Sequence, residues 1–124
     1  LAQIRELPAG MPIGYGHTYT LSKNMRIGTI SAGYADGLPL ALSNRGVVLI
    51  HGKPSPIIGR ISMDYLTVDL TDVPEAKVGD IVTLLGRDGE NEIHVEDWAA
   101  IKQTHAYDII CSIGSRVARC CVVE

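Results

Sequence analysis

Short apolar stretches alternate with polar positions along most of this chain, and turn residues separate them. Ala2–Pro8 alternates in the manner of a strand. Met25–Ile30 sets Ile27 and Ile30 among polar neighbours, and Leu66, Val68 and Leu70 alternate with Thr67, Asp69 and Thr71. Val47–Ile50 is a continuous apolar run between Gly46 and Gly52, and Ile81–Leu85 is a second run rich in β-branched residues. Period-two patterning bounded by Asn44-Arg45-Gly46, His51-Gly52-Lys53-Pro54 and Arg87-Asp88-Gly89-Glu90 predicts short strands joined by tight turns. Many strands at this spacing predict a small antiparallel barrel or sandwich. One segment breaks the pattern. Val95, Trp98 and Ala99 share a helical face, and Glu96 and Asp97 sit in the first turn where the helix dipole favours anions, so a helix is predicted over Val95–Gln103. A second short helix is predicted to begin at Tyr107 or Asp108, and Arg116–Val123 alternates again.

Composition narrows the classes. A chain of 124 residues fits one domain, and with no phenylalanine its core must be built from Val, Ile, Leu and Ala. A net charge of −3 and few aromatics oppose a nucleic-acid surface, which needs a basic stripe or stacking platforms. No apolar run approaches the ~20 residues of a membrane helix. Cys111, Cys120 and Cys121 are odd in number and lack C-x-x-C spacing, which suits reduced thiols and a cytoplasmic setting. The chain opens at Leu1 and reads directly into strand-like alternation, as a piece of a longer polypeptide would, whether cut in nature or by deliberate truncation.

Two tyrosines stand in glycine-rich backbone, in Gly14-Tyr15-Gly16 and in Gly33-Tyr34-Ala35-Asp36-Gly37. Glycine allows a ligand or a second backbone to approach closely. Spacing alone leaves two uses for Tyr15: a hairpin residue covering one end of the barrel, or a general acid/base. A free phenol has a pKa of about 10, so at neutral pH about one in a thousand is ionised, a deficit of roughly 4 kcal/mol. A tyrosine base therefore needs a cation or donor beside it, and locally only His17 is available. Gly59-Arg60-Ile61-Ser62-Met63-Asp64 can be read as a bulge entering a strand with Met63 filling the core. The histidines at 17, 51, 94 and 105 have no metal-ligand spacing, so no metal site is expected, and no phosphate-binding glycine loop is present.

Six stretches occurring in order carry more information than any one of them. They are Ile13-Gly14-Tyr15-Gly16-His17-Thr18-Tyr19, Ile27-Gly28-Thr29-Ile30, Gly33-Tyr34-Ala35-Asp36-Gly37, Leu42-Ser43-Asn44-Arg45-Gly46, Ile57–Asp64 and Ala106-Tyr107-Asp108. Together they resemble the C-terminal domain of bacterial alanine racemase over essentially the whole chain, 1–124. The resemblance implies a mainly β fold, a partly open Greek-key barrel of about six strands with one or two short helices. It also implies an N-terminal (β/α)8 barrel, absent from this sequence, that carries pyridoxal 5'-phosphate on a lysine. The intact enzyme would be a cytoplasmic homodimer in which each active site pairs one subunit's barrel with the other's C-terminal domain. It would interconvert L- and D-alanine and supply D-alanine for cell-wall synthesis.

Residue roles follow from the same resemblance. Tyr15 would exchange the α-proton on one face of alanine while the barrel lysine serves the other, with barrel cations lowering its pKa. The Met63 backbone amide would bind the substrate carboxylate, Tyr107 would reach the cofactor phosphate, and Tyr34, Arg60 and Asp64 would line the substrate channel. Two positions depart from the family pattern: Leu40 stands where an arginine is usual, and His105 where an isoleucine is common. The first removes a charge from the channel and the second can add one. Tyr107 favours alanine over serine, since serine-preferring relatives carry a smaller polar residue there. A racemase for serine or another small amino acid, and a non-catalytic assembly domain, are the alternatives. The isolated chain is expected neither to racemise alanine nor to hold the cofactor tightly, and no nucleic acid or membrane partner is expected.

Overall fold

A computed structural model describes residues 1–13 and 19–121. The strands are β1 (Gln3–Leu7), β2 (Pro12–Ile13), β3 (Tyr19–Thr20), β4 (Met25–Ile30), β5 (Val47–Ile50), β6 (Lys53–Ile58), β7 (Leu66–Asp69), β8 (Val82–Thr83), β9 (Gly86–Asp88) and β10 (Asn91–Ile93). Two helices follow, α1 (Val95–Lys102) and α2 (Ala106–Cys111). Six strands form one sheet in the order β1-β4-β7-β6-β5-β8, every neighbouring pair antiparallel. The sheet does not close, because β1 and β8 are its two edges. The β2–β3 and β9–β10 pairs form separate ribbons.

Local chemistry explains the elements. β5 and β6 are joined by His51 and Gly52 alone, with φ of 52° and 73°. Positive φ at both central residues is the hairpin geometry that matches strand twist, and glycine adopts it without steric cost. That turn docks on the β9–β10 tip, where the Gly52 N–H donates to Asp88 Oδ2 at 2.9 Å and Asn91 Nδ2 donates to the Gly52 carbonyl at 2.6 Å. β5 is buried at Val48, Leu49 and Ile50 rather than at alternate positions, since β10 packs against it. The main core joins these residues to Leu42, Ile57, Leu66, Val68, Leu70, Trp98 and Ile109. Helix α1 begins where the Asp97 carboxylate accepts the His94 N–H at 2.8 Å, and Trp98 and Ala99 bury its inner face as their spacing predicts. No helix among the described residues is long and apolar enough to cross a membrane.

Two expectations fail locally. The Ile81–Leu85 run yields a strand of only two residues: Ile81 is 85% exposed, while Leu84 and Leu85 turn onto the core. The alternation over Arg116–Val123 yields no strand within 116–121, and 122–123 lie outside the described residues. Here the backbone is held by arginine side chains instead of a ladder. Arg119 Nη2 donates to the Ile113 carbonyl at 3.0 Å, and Arg116 makes the contacts described below.

One core feature is uncompensated. Ser55, on β6, is fully buried and its hydroxyl has no hydrogen-bond partner among the described residues. A buried hydroxyl without a partner costs about 1–3 kcal/mol. Ser55→Ala is therefore expected to stabilise the chain by about 1 kcal/mol, read as a higher urea midpoint. A lower midpoint would mean that the hydroxyl is satisfied.

Candidate active-site surface

The Gly59–Asp64 segment is an exposed loop with a rigid backbone. Its start is fixed by Asn44 Oδ1, which accepts the Gly59 N–H at 2.7 Å, and by Ser43 Oγ, which accepts the Ile61 N–H at 2.9 Å. The Ile61 side chain is buried and anchors the middle. Its end is a tight turn in which the Ser62 N–H donates to the Tyr65 carbonyl at 3.0 Å and the Tyr65 N–H donates to Ser62 Oγ at 3.1 Å. Met63 and Asp64 form the tip. Met63 is 53% exposed, which excludes the core-filling reading of this motif.

Against this tip lies a one-turn 3-10 helix, Tyr34–Asp36. The Tyr34 N–H donates to the Ser62 carbonyl at 3.0 Å, and the Ala35 N–H donates to the Met63 carbonyl at 3.1 Å. Position 33 must be glycine for this approach. A Cβ there would stand 2.4 Å from the Met63 carbonyl carbon and oxygen and from the Ser62 oxygen. These are backbone atoms and cannot swing aside. The peptide unit is planar and trans, so an N–H points opposite to its carbonyl. With the Ser62 and Met63 carbonyls both pinned to the turn, the Met63 and Asp64 N–H groups face away from it. Neither donates to any group among the described residues. The tip therefore presents two fixed, unpaired donors, an arrangement suited to a carboxylate.

Three of the expected residues meet here. Tyr34, Arg60 and Met63, with Leu40, Ile61 and Ser62, line one cleft of about 390 Å³. Arg60 also borders a more polar groove of about 520 Å³ with Arg5, Thr29, Tyr65 and Thr67. The Arg60 guanidinium pairs with no carboxylate among the described residues. Leu40 is 49% exposed and gives the first cleft an apolar wall where the family pattern suggests a charge.

The others are placed differently. Asp64 flanks the cleft and bonds to Arg116. Tyr107 stands in the first turn of α2, 77% exposed, outside the cleft lining, with its hydroxyl bonded to no described group. Helix α2 begins at Ala106, one residue before the expected start, because His105 caps it. His105 Nδ1 accepts the Asp108 N–H at 3.3 Å. Tyr15 and His17 lie outside the described residues. No cluster of three or more metal-ligating side chains occurs among the described residues.

Arg116 was missed by sequence reasoning. Its guanidinium bonds both Asp36 carboxylate oxygens, Asp64 Oδ1 at 2.8 Å and the Met63 carbonyl at 3.4 Å. It touches both motifs at once from 80 and 52 residues away, so no local pattern announces it. The Asp36 carboxylate also accepts the Gly33 N–H at 2.9 Å, and the Asp36 carbonyl accepts the Gly114 N–H at 3.1 Å. The Arg116 hydrogen bonds, aided by the Gly33 N–H, hold the Asp36 carboxyl below the usual aspartate range.

This shift has a definite sign. The unfolded chain takes up a proton at Asp36 near pH 3.9, before the folded chain does. The stabilisation is complete above that range and is lost as the pH falls through the lower native value. The stability gap between wild type and Asp36→Asn is thus expected to be open at pH 7 and to close on acidification below about pH 3.9. Urea titrations across that range check this, and a gap that stays constant to pH 2 would refute the ion pair as its source.

The matched family model is that of the alanine racemase C-terminal domain, covering residues 1–121. The alanine racemase of Methylacidiphilum infernorum is 48% identical over 94% of this chain and 30% of its own length. A crystal structure of alanine racemase from Oenococcus oeni superposes with a TM-score of 0.91 at 30% identity, covering 98% of this chain and 33% of that one. One from Bartonella henselae, described with covalently bound pyridoxal phosphate, gives 0.85 at 38% identity over 92% of this chain and 31% of that one. The chain thus spans about a third of the length of these relatives. It belongs to the alanine racemase C-terminal domain family.

Proposed function

We propose that this chain is the C-terminal β-domain of a racemase that interconverts L- and D-alanine, and that its Met63 tip and Tyr15 complete an active site whose remainder lies on an N-terminal barrel. The observation that carries the reading is the Met63 tip itself. Two outward N–H groups are fixed beside Tyr34 and Arg60, in a chain of this family. A backbone donor binds a carboxylate with no side chain to order, so little entropy is lost. The amino acid would be held by its carboxylate at Met63, with the small side chain against the apolar wall of Leu40, Ile61 and Met63. That wall suits a methyl group better than a hydroxymethyl group, which would lose hydrogen bonds to water there.

Tyr15 would take or give the α-proton on one face. Its phenol needs neighbouring cations to ionise near neutral pH, and an opposing barrel would supply them. Tyr107 is the described residue that fits the cofactor, since its exposed hydroxyl is free to donate to a phosphate oxygen. When bound, pyridoxal 5'-phosphate supplies the electron sink that makes the α-proton acidic. One hydroxyl is no cradle, so this chain alone would hold the group weakly. The intact enzyme would be a cytoplasmic homodimer, each subunit's barrel facing its partner's β-domain, with D-alanine serving the cell wall.

Two measurements test this. Full-length enzyme should racemise alanine faster than serine, and Tyr15→Phe should lower turnover by a factor on the order of 10²–10⁴. Unchanged turnover would leave a domain used only for assembly. The 124-residue chain supplied with pyridoxal 5'-phosphate should show no racemisation, and measurable turnover would place the whole catalytic apparatus within it.

A further inference from the structure

We propose that Arg116 is a positioning residue for substrate binding: it fixes the direction in which the Met63 amide points. The inference rests on the proposed carboxylate role of Met63 and extends it to a side chain that does not itself face the substrate.

The geometry is specific. The two Tyr34 and Ala35 N–H bonds pin the Ser62 and Met63 carbonyls, but both come from one short 3-10 turn with no long regular element behind it. A turn of that length holds a neighbour only if it is itself held. Arg116 does this from both sides. Through Asp36 it grips the turn, and through Asp64 and the Met63 carbonyl it grips the tip. The same Asp36 carboxylate receives the Gly33 N–H, so the arginine's first partner also closes the start of the turn. Arg116 also lines an apolar cavity with Leu84, Leu85 and Trp98. The guanidinium is planar and presents donors in a fixed fork, so it can serve two carboxylates and a carbonyl together. An ammonium at the same place is a point charge and cannot keep all three.

Without this clasp, the peptide units on either side of Met63 keep one backbone bond each but can rock with the turn. A carboxylate held by a fixed N–H is sensitive to such motion, because hydrogen bonds weaken steeply with angle. The loss should fall on binding. In the proposed reading Arg116 itself exchanges no proton with the substrate, so the chemical step should change little.

The test uses the full-length enzyme with Arg116→Ala and Arg116→Lys. The expected result is a KM for alanine raised about tenfold in the alanine variant and less in the lysine variant. Inhibition by propionate, a bare carboxylate, should weaken in parallel, with kcat within about threefold of wild type. A fall in melting temperature with KM and propionate inhibition unchanged would overturn the proposal and leave Arg116 a stabilising residue only. A loss confined to kcat would overturn it as well. A second readout does not depend on racemase activity. In the 124-residue chain, Arg116→Lys should speed amide hydrogen exchange at Tyr34 and Ala35 about tenfold, with the β4 and β6 amides unchanged. Equal protection at 34 and 35 would overturn the clasp even if the enzyme racemises alanine. Faster exchange in a protein that does not racemise alanine would keep the clasp and refute the function instead.

Discussion

Everything at the tip of this domain depends on two strands of backbone lying closer than side chains permit. The Gly33 turn and the Ser62–Met63 segment exchange main-chain hydrogen bonds at 3.0 and 3.1 Å, with no room for a methyl group between them. That contact orients two peptide planes, and through them two N–H groups. The remaining features maintain it. Ser43 and Asn44 fix the approach of the loop, the Ser62–Tyr65 turn fixes its return, and Arg116 joins loop to turn by charge. Long-range side-chain bonds to backbone thus do what regular secondary structure does elsewhere in the fold.

The scaffold explains why the tip can be so irregular. The central strands β4, β7 and β6 carry the buried residues Ile27, Leu66, Val68, Ile57 and Ile58, while the loop leaves the sheet between β6 and β7. Binding groups on a loop between two well-buried strands inherit the rigidity of the strands without lying in the ladder.

β7 was legible because it has one buried face, and a period of two reports that directly. α1 follows its pattern as well, whereas β4 is buried at Met25, Ile27, Gly28 and Ile30 and so on both faces. Ile81–Leu85 misled because apolar residues there serve the core without pairing, and Arg116–Val123 misled because alternation over a short irregular segment carries no information about hydrogen bonds. At the site, glycine and tyrosine motifs marked positions 33–37 and 59–64 but not why they belong together. Their contact is backbone to backbone across the fold, and the residue joining them, Arg116, lies in a stretch with no motif. His105 caps α2 through one ring nitrogen, a local contact that its residue type alone does not announce.

Met63 contributes to the proposed binding through atoms that all twenty amino acids but proline possess, while its thioether chain lies largely in solvent. Heritable change at this codon should therefore be well tolerated by binding and free to reshape the rim of the cleft. Under the proposed reading, such change would retune which small molecules the cleft admits without disturbing the N–H groups that would hold them.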